Sequence, residues 1–272
     1  WSSDVCSSDL LMRNNRELRF LVTPANYIYS LTQVARSQAK EVDKVREPVG
    51  ADAVPGAGWA GRQKPVVMVM VLGETARAAN WGLSGYARQT TPELAKLDVI
   101  NFSKVTSCGT NTEVSVPCMF SVYGRRNYNE GKIRGSESLL NVLDRAGMKV
   151  IWRDNQSGCK GVCDRVTEIG TARLADAQLC PGGDCQDTIM LRDLDAHIAA
   201  LPPERRARGV VVVLHQMGSH GPAYYRRSAP DSKHFGPECA THVTSDCEQQ
   251  DLVNVYDNSI VETDAFLAQT IA

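Results

Sequence analysis

The residues best suited to chemistry lie between Cys108 and Cys118, two cysteines that bracket a short polar turn. The turn holds Gly109, Thr110 and Thr112, and a run that can begin a helix follows it. A hydroxyl at a helix N-terminus lies among free backbone N–H groups and at the positive end of the helix dipole. Such a position favours a bound phosphate and suits a threonine nucleophile. An ordinary threonine N-cap in a disulfide-closed loop is the alternative.

Further polar residues follow two apolar runs. Glu74 comes shortly after residues 66–72, and His215 and His220 flank the turn after residues 209–214. A carboxylate is a common zinc ligand, and a bound cation favours the alkoxide form of a threonine. Two histidines on one loop can bind a phosphate or donate protons. A surface glutamate in a βα turn and a histidine packed in the core are the alternatives for Glu74 and His215.

A further predicted strand, residues 149–152, leads into Arg153 and then Lys160. Both side chains can offset the charge of a phosphate group, although each taken alone is more often a solvated residue. Glu113, beside the turn threonine, would repel an anionic substrate if it faced inward. We therefore expect Glu113 to face outward.

The apolar runs also predict the elements that position these side chains. Residues 66–72 and 209–214 are predicted to be buried strands, and residues 149–152 and 99–102 are predicted to be further strands. Helices are predicted at residues 91–97, 137–146, 188–201 and 251–272. This alternation predicts an α/β fold, a mostly parallel sheet with helices on both faces. The polar clusters at the strand ends should then converge on one rim with the Thr112 loop.

Composition restricts the class of protein. The 272 residues suffice for one large domain, and the net charge of −1 does not indicate a nucleic-acid binder. The sequence contains no run of eighteen apolar residues, so it predicts no transmembrane helix. Eight of the nine cysteines fall into close pairs, which indicates disulfides formed in an oxidising compartment. The predicted pairs are Cys108–Cys118, Cys159–Cys163, Cys180–Cys185 and Cys239–Cys247, with Cys6 unpaired. A zinc knuckle at the second pair is the disfavoured alternative, because matching cysteine or histidine pairs are absent from the sequence.

The start of the chain shows no signal-peptide pattern, so the paired cysteines suggest a piece of a larger exported protein. Residues 1–10 read like translated linker sequence. Residues 11–64 are predicted to form a connector or arm from a preceding membrane domain. Residues 65–272 are predicted to form the catalytic domain.

Seven segments form a distinctive combination: 73–80 (GETARAAN), 85–88 (GYAR), 107–112 (SCGTNT), 115–121 (SVPCMFS), 152–155 (WRDN), 215–222 (HQMGSHGP) and 254–258 (NVYDN). Together they resemble the periplasmic catalytic domain of the phosphoethanolamine transferases, a family that modifies lipid A and includes the mobile colistin-resistance enzymes. The resemblance implies an alkaline-phosphatase/sulfatase-like α/β fold and an inner-membrane protein whose catalytic domain lies in the periplasm. It also implies phosphatidylethanolamine as donor, a lipid A or lipopolysaccharide acceptor, and zinc as cofactor.

The same resemblance assigns roles to individual residues. Glu74 and Thr112 match zinc ligands, and Thr112 matches the nucleophile that becomes modified with phosphoethanolamine. The positions that hold the phosphoethanolamine group are matched by Thr110, Gln156, Ser157, Lys160 and His220. The paired cysteines match disulfides of the family.

One departure from the family is clear. The family's remaining zinc ligands lie in an Asp-His-Gly-Glu segment, and no Asp-His pair occurs in this sequence. We therefore expect a fragment with an incomplete metal site, a missing sheet strand and no transferase activity. Alternatives are a phosphoglycerol transferase or a sulfatase of the same fold, or an inactive periplasmic module. A sulfatase needs a Cys/Ser-x-Pro-x-Arg motif, and Cys118 is followed by Met119-Phe120-Ser121 instead.

Overall fold

The computed structural model describes residues 27, 28, 30–32, 45–60, 62, 64–171, 174, 176–180 and 183–272. Cys6 and the predicted leader at residues 1–10 lie outside these ranges, and the predicted connector is described only in part. The chain forms two compact units, residues 1–46 and residues 47–272. The strands, the helices and the candidate site described below all lie in the second unit.

Four parallel strands form the sheet of the second unit. They are β1 (Val67–Leu72), β2 (Lys149–Asp154), β3 (Thr167–Gly170) and β4 (Val210–His215), in the spatial order β1-β4-β2-β3. All residues of β4 are buried, as its continuous apolar sequence predicts for an inner strand. The register pairs His215 with Leu72 on one side and with Asp154 on the other. The loops after β1, β2 and β4 therefore begin level with one another at one edge of the sheet.

Helices cover both faces of this sheet, as predicted. They are α1 (Ala57–Ala60), α2 (Thr112–Met119), α3 (Glu130–Gly135), α4 (Leu139–Arg145), α5 (Leu194–Ala199), α6 (Pro203–Ala207) and α7 (Gln249–Ile271). Leu140 of α4 packs in one core cluster with Val213, while Phe266 of α7 packs in a second cluster with Val212. Because Val212 and Val213 point to opposite faces of β4, the two clusters lie on opposite sides of the sheet. Within the described ranges, no helix combines the length and apolar character needed to span a bilayer.

Three predicted elements differ from the structure. The strand predicted at residues 99–102 is wrong: Ile100 and Phe102 are 83% and 74% exposed, and the segment pairs with no strand of the described sheet. The helix predicted at residues 188–201 is interrupted at Asp193, whose φ of 55° is incompatible with a continuous right-handed helix. The helix predicted at residues 91–97 is reduced to a single 3₁₀ turn, Leu94–Lys96.

Strand β1 forms one edge of the sheet in the described part of the chain. The prediction that residues 66–72 are fully buried is therefore wrong for the start of this strand: Val67, Met68 and Val69 are 44%, 43% and 38% exposed. Apolar side chains and unpaired backbone groups at a sheet edge favour pairing with another strand. The unit therefore presents an open, apolar strand edge on the side of β1.

Four disulfides join cysteines within the described ranges, and they are the pairs that the sequence predicts. These are Cys108–Cys118, Cys159–Cys163, Cys180–Cys185 and Cys239–Cys247. Cys108–Cys118 joins the start of the polar turn to the last turns of α2. Cys159–Cys163 closes the loop after β2. Two of the four disulfides thus lie in segments that carry predicted site residues.

Candidate active site

Thr112 and Glu74 are in direct contact. Thr112 Oγ1 donates a hydrogen bond of 2.9 Å to Glu74 Oε2. Glu74 follows β1, and Thr112 is the first residue of α2, so two distant segments of the chain meet here. The structure thus brings together a threonine hydroxyl and a carboxylate, the two residues for which the sequence predicts zinc binding.

Asn111, rather than Thr112, caps helix α2. The Asn111 side chain accepts a hydrogen bond of 2.9 Å from the backbone N–H of Val114, and Asn111 has the extended backbone of an N-cap. The interpretation of Thr112 as an ordinary N-cap is therefore wrong. Its hydroxyl is free of the capping role and points to Glu74 instead.

Several contacts fix the carboxylate of Glu74. Thr75 Oγ1 donates a hydrogen bond of 2.7 Å to Oε1, so the two oxygens of Glu74 have separate donors. The carbonyl of Glu74 accepts a hydrogen bond of 3.0 Å from the Ser219 N–H, in the loop after β4. Gly218 allows this approach, because its φ is +51° and a Cβ there would lie 2.6 Å from the Glu74 carbonyl oxygen.

His215 lies buried beneath Glu74 and is 1% exposed. Its Nδ1 is 2.9 Å from Asp154 Oδ2, and its Nε2 is 4.0 Å from Glu74 Oε2. An ionised carboxylate only accepts hydrogen bonds, so Nδ1 carries the proton shared with Asp154. Nε2 is buried and has no hydrogen-bond partner among the described residues. His215 therefore faces the Glu74 carboxylate from below instead of lining the surface.

Asp154 is the residue that orients His215. Its Oδ2 also accepts a hydrogen bond of 2.8 Å from Trp152 Nε1. Burial by itself raises the pKa of Asp154, but the hydrogen bonds from His215 and Trp152 outweigh burial and hold the pKa below its usual value. Asp154 is thus an ionised, buried acceptor at neutral pH.

The donor set around Glu74 fits a small cation in part. Glu74 and Thr112 offer two oxygen atoms in contact, and the unsatisfied Nε2 of His215 faces the same carboxylate oxygen. Oxygen and imidazole nitrogen are ligands that zinc accepts. In the described part of the chain, one group of three closely spaced cysteine and carboxylate side chains occurs elsewhere, at Cys159, Cys163 and Glu168. Since that cysteine pair forms a disulfide, its sulfurs are not available as thiolates.

The loop after β2 reaches the start of α2. Lys160 Nζ donates hydrogen bonds to the carbonyl and the hydroxyl of Ser157, and it lies 3.3 Å from Glu113 Oε1. Glu113 also pairs with Arg134, and its side chain is 56% exposed, so it faces outward as predicted. Lys160 is consequently paired with Glu113, the residue that follows Thr112 in α2.

The other predicted phosphate-binding residues are less closely connected. Thr110 lines the cleft described below, together with Glu74 and Thr112. His220 is exposed, and its Nδ1 lies 2.8 Å from the carbonyl of Gly221. In the described structure, no hydrogen bond joins the side chains of Thr110, Gln156 or His220 to Thr112. Their contact with a phosphoethanolamine group stays a prediction.

Arg153 does not belong to the site, contrary to one interpretation of the sequence. It is buried, and its guanidinium donates to the carbonyls of Met190 and Arg192. Alternation along β2 directs Arg153 to the sheet face opposite Trp152, which packs with the cluster that includes α2 residues. Burial lowers the pKa of Arg153. Its hydrogen bonds join β2 to the backbone of Met190 and Arg192.

A cleft of about 880 Å³ opens over Glu74 and Thr112. The segment after β1 and the segment from Asn101 to Thr112 form its walls. Phe102 and Val105, which are 74% and 73% exposed, contribute apolar surface to this lining, and Arg77 contributes a cation. Thr112 and Glu74 are thus open to a ligand with both polar and apolar parts.

Sequence reasoning missed Asp187, which shapes the loop after β4. Asp187 is buried and accepts hydrogen bonds from the N–H groups of Met217 and Gly218 and from the Gln216 side chain. Burial raises the pKa of Asp187, against the lowering effect of these bonds. It lies within the 3₁₀ turn Asp187–Leu191, where no sequence signal distinguishes it from a surface aspartate.

Known proteins that are similar to this chain include transferases of phosphoethanolamine. Phosphatidylethanolamine transferase Mcr-1 of Escherichia coli is 40% identical over 268 residues, which cover 95% of this chain and 49% of that protein. Phosphoethanolamine transferase EptA of Escherichia coli K12 is 38% identical over 262 residues, covering 96% of this chain and 47% of that protein. The chain therefore spans about half the length of the curated relatives it matches.

A solved structure shares the fold. The integral membrane protein lipooligosaccharide phosphoethanolamine transferase A (EptA) from Neisseria meningitidis superposes with a TM-score of 0.81 at 36% identity, covering 98% of this chain and 49% of that one. These similarities confirm the resemblance that the seven segments predict. Residues 67–272 also match the family model described as Sulfatase, which covers the whole sheet. The chain therefore belongs to the sulfatase family.

Proposed function

We propose that the chain carries the catalytic centre of a phosphoethanolamine transferase that uses phosphatidylethanolamine as donor and a lipid A phosphate as acceptor. The observation that carries this proposal is the contact of Thr112 Oγ1 with Glu74 Oε2 at the base of an open cleft. The names of the similar proteins support the class of reaction, and the mixed polar and apolar lining of the cleft suits a phospholipid.

In the proposed reaction Thr112 is the nucleophile. Its Oγ1 attacks the phosphorus of the donor, a bond from Oγ1 to phosphorus forms, and the bond from phosphorus to the diacylglycerol oxygen breaks. The hydroxyl proton ends on the diacylglycerol oxygen. An oxygen of the acceptor phosphate then attacks the phosphorus of the phospho-threonine, and the bond from phosphorus to Oγ1 breaks. Oγ1 takes up the proton that the acceptor phosphate group gives up, which restores the Thr112 hydroxyl. Glu74 orients the attacking oxygen, because Oε2 already accepts its hydrogen bond.

Glu74 and Thr112 would hold a zinc ion through their oxygen atoms. When bound, zinc lowers the pKa of the threonine hydroxyl and offsets negative charge on the phosphoryl oxygens. Lys160, next to Glu113 on the approach to Thr112, supplies a positive charge for the phosphate. Thr110, Gln156, Ser157 and His220 are assigned contacts with the phosphoethanolamine group. His215, buried beneath Glu74, acts in this proposal on the carboxylate and does not touch the substrate.

The proposal also includes a location. Four disulfides suit a protein that folds in an oxidising compartment such as the periplasm. The similar Neisseria protein is described as an integral membrane protein, and we propose that this catalytic domain likewise works at the inner membrane. A second domain of the same protein would then supply the membrane attachment.

Transfer through Thr112 is testable by intact-protein mass spectrometry. Variants are made in the full reading frame and incubated with phosphatidylethanolamine. The parent and Thr112→Ser should carry a phosphoethanolamine adduct on residue 112, whereas Thr112→Val should carry none. Thr106→Val makes the same substitution in the same cleft and should retain the adduct. An adduct mapped to Thr110 in the Thr112→Val variant would show that the nucleophile is misassigned.

The donor is tested separately. Phosphatidylethanolamine and phosphatidylglycerol are offered to the same preparation, and the mass of the adduct identifies the group transferred. A phosphoglycerol adduct would favour the related phosphoglycerol transferase activity. Absence of any adduct with either lipid, in a folded protein that is loaded with zinc, would favour an inactive module.

A further inference from the structure

The turn that follows Glu74 has an unusual backbone. Thr75 has a φ of 56°, in the left-handed region that β-branched residues rarely occupy. In this conformation its hydroxyl donates to Glu74 Oε1 at 2.7 Å, which leaves Oε2 for Thr112. A residue held in such a conformation needs contacts that stabilise it. The orientation of the Glu74 carboxylate therefore depends on whatever stabilises Thr75.

The contact that stabilises this turn comes from the middle of α7. The Tyr256 hydroxyl donates a hydrogen bond of 2.7 Å to the Thr75 carbonyl and accepts one of 2.9 Å from the Arg77 N–H. One hydroxyl group thus binds the backbone on both sides of Ala76 and closes the turn. The two partners lie 181 and 179 positions away from Tyr256 in the sequence, so the contact is purely tertiary.

Tyr256 is itself carried on a rigid part of the fold. Its neighbours Val255 and Asp257 are both 0% exposed, and its ring packs edge-to-face on Tyr224 with centroids 5.7 Å apart. Burial raises the pKa of Tyr256 to about 12, so the hydroxyl keeps the proton that it donates to Thr75 at neutral pH. The segment containing Tyr256 matches the family pattern, yet nothing in the proposed reaction uses it.

We propose that Tyr256 is a positioning residue: its hydroxyl holds Thr75 in the left-handed conformation and thereby determines which oxygen of Glu74 faces Thr112. This inference rests on the proposed roles of Glu74 and Thr112. Tyr256 acts through Thr75 and does not contact the reacting atoms. Loss of its hydroxyl should therefore disturb the Glu74 carboxylate, and with it any metal bound there, while the fold remains intact.

The test compares Tyr256→Phe with Tyr86→Phe in the full reading frame. Tyr256→Phe removes only the hydroxyl and keeps the ring against Tyr224. Tyr86→Phe removes a hydroxyl that donates a hydrogen bond of 2.9 Å to Asp257, the neighbour of Tyr256 in α7. That hydroxyl does not contact the turn after Glu74. The two variants should lose similar amounts of thermal stability, so any difference at Glu74 reports positioning.

Two measurements decide the question. Zinc affinity is measured by competition with a chromophoric chelator, and crystal structures of the zinc-free proteins give the Thr75 φ and the Thr112–Glu74 distance. Tyr256→Phe should weaken zinc binding about 10- to 100-fold, as loss of a ligand-orienting contact does in metal sites. Its structure should show Thr75 or the Glu74 carboxylate displaced. Tyr86→Phe should bind zinc within about twofold of the parent and keep both features.

The outcomes separate this inference from the proposed function. If Tyr256→Phe keeps the Thr75 conformation, the Thr112 hydrogen bond and the parental zinc affinity, Tyr256 is not a positioning residue. Equal losses of affinity in both variants also overturn the inference. If the parent binds no zinc, the proposed function fails, and the zinc-free structures still decide the role of Tyr256. Should Tyr256→Phe not fold, Thr75→Val tests the second half of the link, because it keeps the backbone contact with Tyr256 and removes the hydroxyl that binds Glu74. An unchanged Glu74 carboxylate and parental zinc affinity in Thr75→Val would overturn the inference.

Discussion

His215 and Asp154 lie side by side on adjacent strands, with His215 Nδ1 2.9 Å from Asp154 Oδ2. The register of β2 and β4 pairs the two residues directly. The carboxylate fixes the position of the imidazole, and His215 Nε2 consequently faces Glu74 Oε2 at 4.0 Å. The floor of the candidate site is thus set by the alignment of two strands, and its upper part is set by loops.

Replacing Asp154 should change how stability depends on pH. Hydrogen bonds from His215 and Trp152 overcome the effect of burial and lower the pKa of Asp154 in the folded state. A carboxyl whose pKa falls on folding adds stability above its unfolded pKa of about 3.9, and that stability is lost as the pH falls below this value. Urea unfolding of the parent from neutral pH to about pH 3 should show this loss. In Asp154→Asn the free energy of unfolding should fall less over the same acidic range.

The control for that experiment is Asp98→Asn, which removes an exposed carboxyl and makes the same change in net charge. An equal loss of unfolding free energy at acidic pH in the parent and in Asp154→Asn would contradict the lowered pKa of Asp154. The midpoint of unfolding at neutral pH should also fall for Asp154→Asn, because the His215 and Trp152 donors lose an ionised acceptor.

Removal of the Asn111 cap should cost about 1 kcal/mol of stability, the usual effect of replacing a helix N-cap with alanine. Asn111→Ala leaves the Val114 N–H without its side-chain acceptor and loosens the first turn of α2, where Thr112 lies. Transfer activity should therefore fall by more than the loss of stability explains. Asn129→Ala removes the corresponding cap of α3 and serves as the matched control.

Equal effects of Asn111→Ala and Asn129→Ala on activity would show that α2 needs no capping to place Thr112. Chemical denaturation measures the stability of both variants, and the phosphoethanolamine adduct on residue 112 measures activity. The two variants should differ in the second measurement and agree in the first.

Gly218→Ala should be more damaging than another glycine substitution at positive φ. A Cβ at residue 218 would lie 2.6 Å from the Glu74 carbonyl oxygen, so the loop after β4 or the turn after β1 must move. Gly85 also has a positive φ of +93°, but a Cβ there meets nothing within 4 Å. Gly85→Ala should cost about 1–2 kcal/mol through backbone strain alone. Gly218→Ala should cost more and also weaken zinc binding, which calorimetry measures.

The 272-residue chain by itself should bind zinc weakly. Tight zinc sites use three or four protein ligands, whereas the donors in direct contact here are the oxygens of Glu74 and Thr112. Titration calorimetry should give a weak affinity that Glu74→Gln reduces further, and a chelator should leave the melting temperature almost unchanged. Tight, stoichiometric binding by this chain would mean that the ligand set is already complete.

The sequence correctly predicts β1, β2 and β4 as strands. The uniformly apolar residues of β4 are buried, whereas β1 has a similar sequence and its first three residues are exposed at the edge of the described sheet. Residues 99–102 are also mainly apolar, yet tertiary packing leaves them exposed beside the cleft. Strand β3, Thr167–Gly170, was not predicted, because four residues with one large aliphatic side chain carry no periodic signal.

The candidate site was predictable in its position but not in its internal geometry. Glu74 follows an apolar strand, and open α/β sheets place their binding sites at the carboxyl ends of the strands, so its location follows from general rules. That Asn111 caps α2 and leaves Thr112 free depends on a one-residue choice of helix start, which sequence patterns do not resolve. The burial of His215 and the contact of Tyr256 with Thr75 depend on register and on helix placement, which arise only in the folded chain.

The spacing of the disulfides has a consequence for how the protein acquires them. The four bonds join cysteines separated by 10, 4, 5 and 8 residues, and each pairs with its nearest neighbour among these eight. Eight cysteines allow about 105 complete pairings. Short loops close with the least loss of chain entropy, so random encounters in the unfolded chain already favour the native set. We expect oxidation of these cysteines to need a thiol oxidase but little correction by a disulfide isomerase.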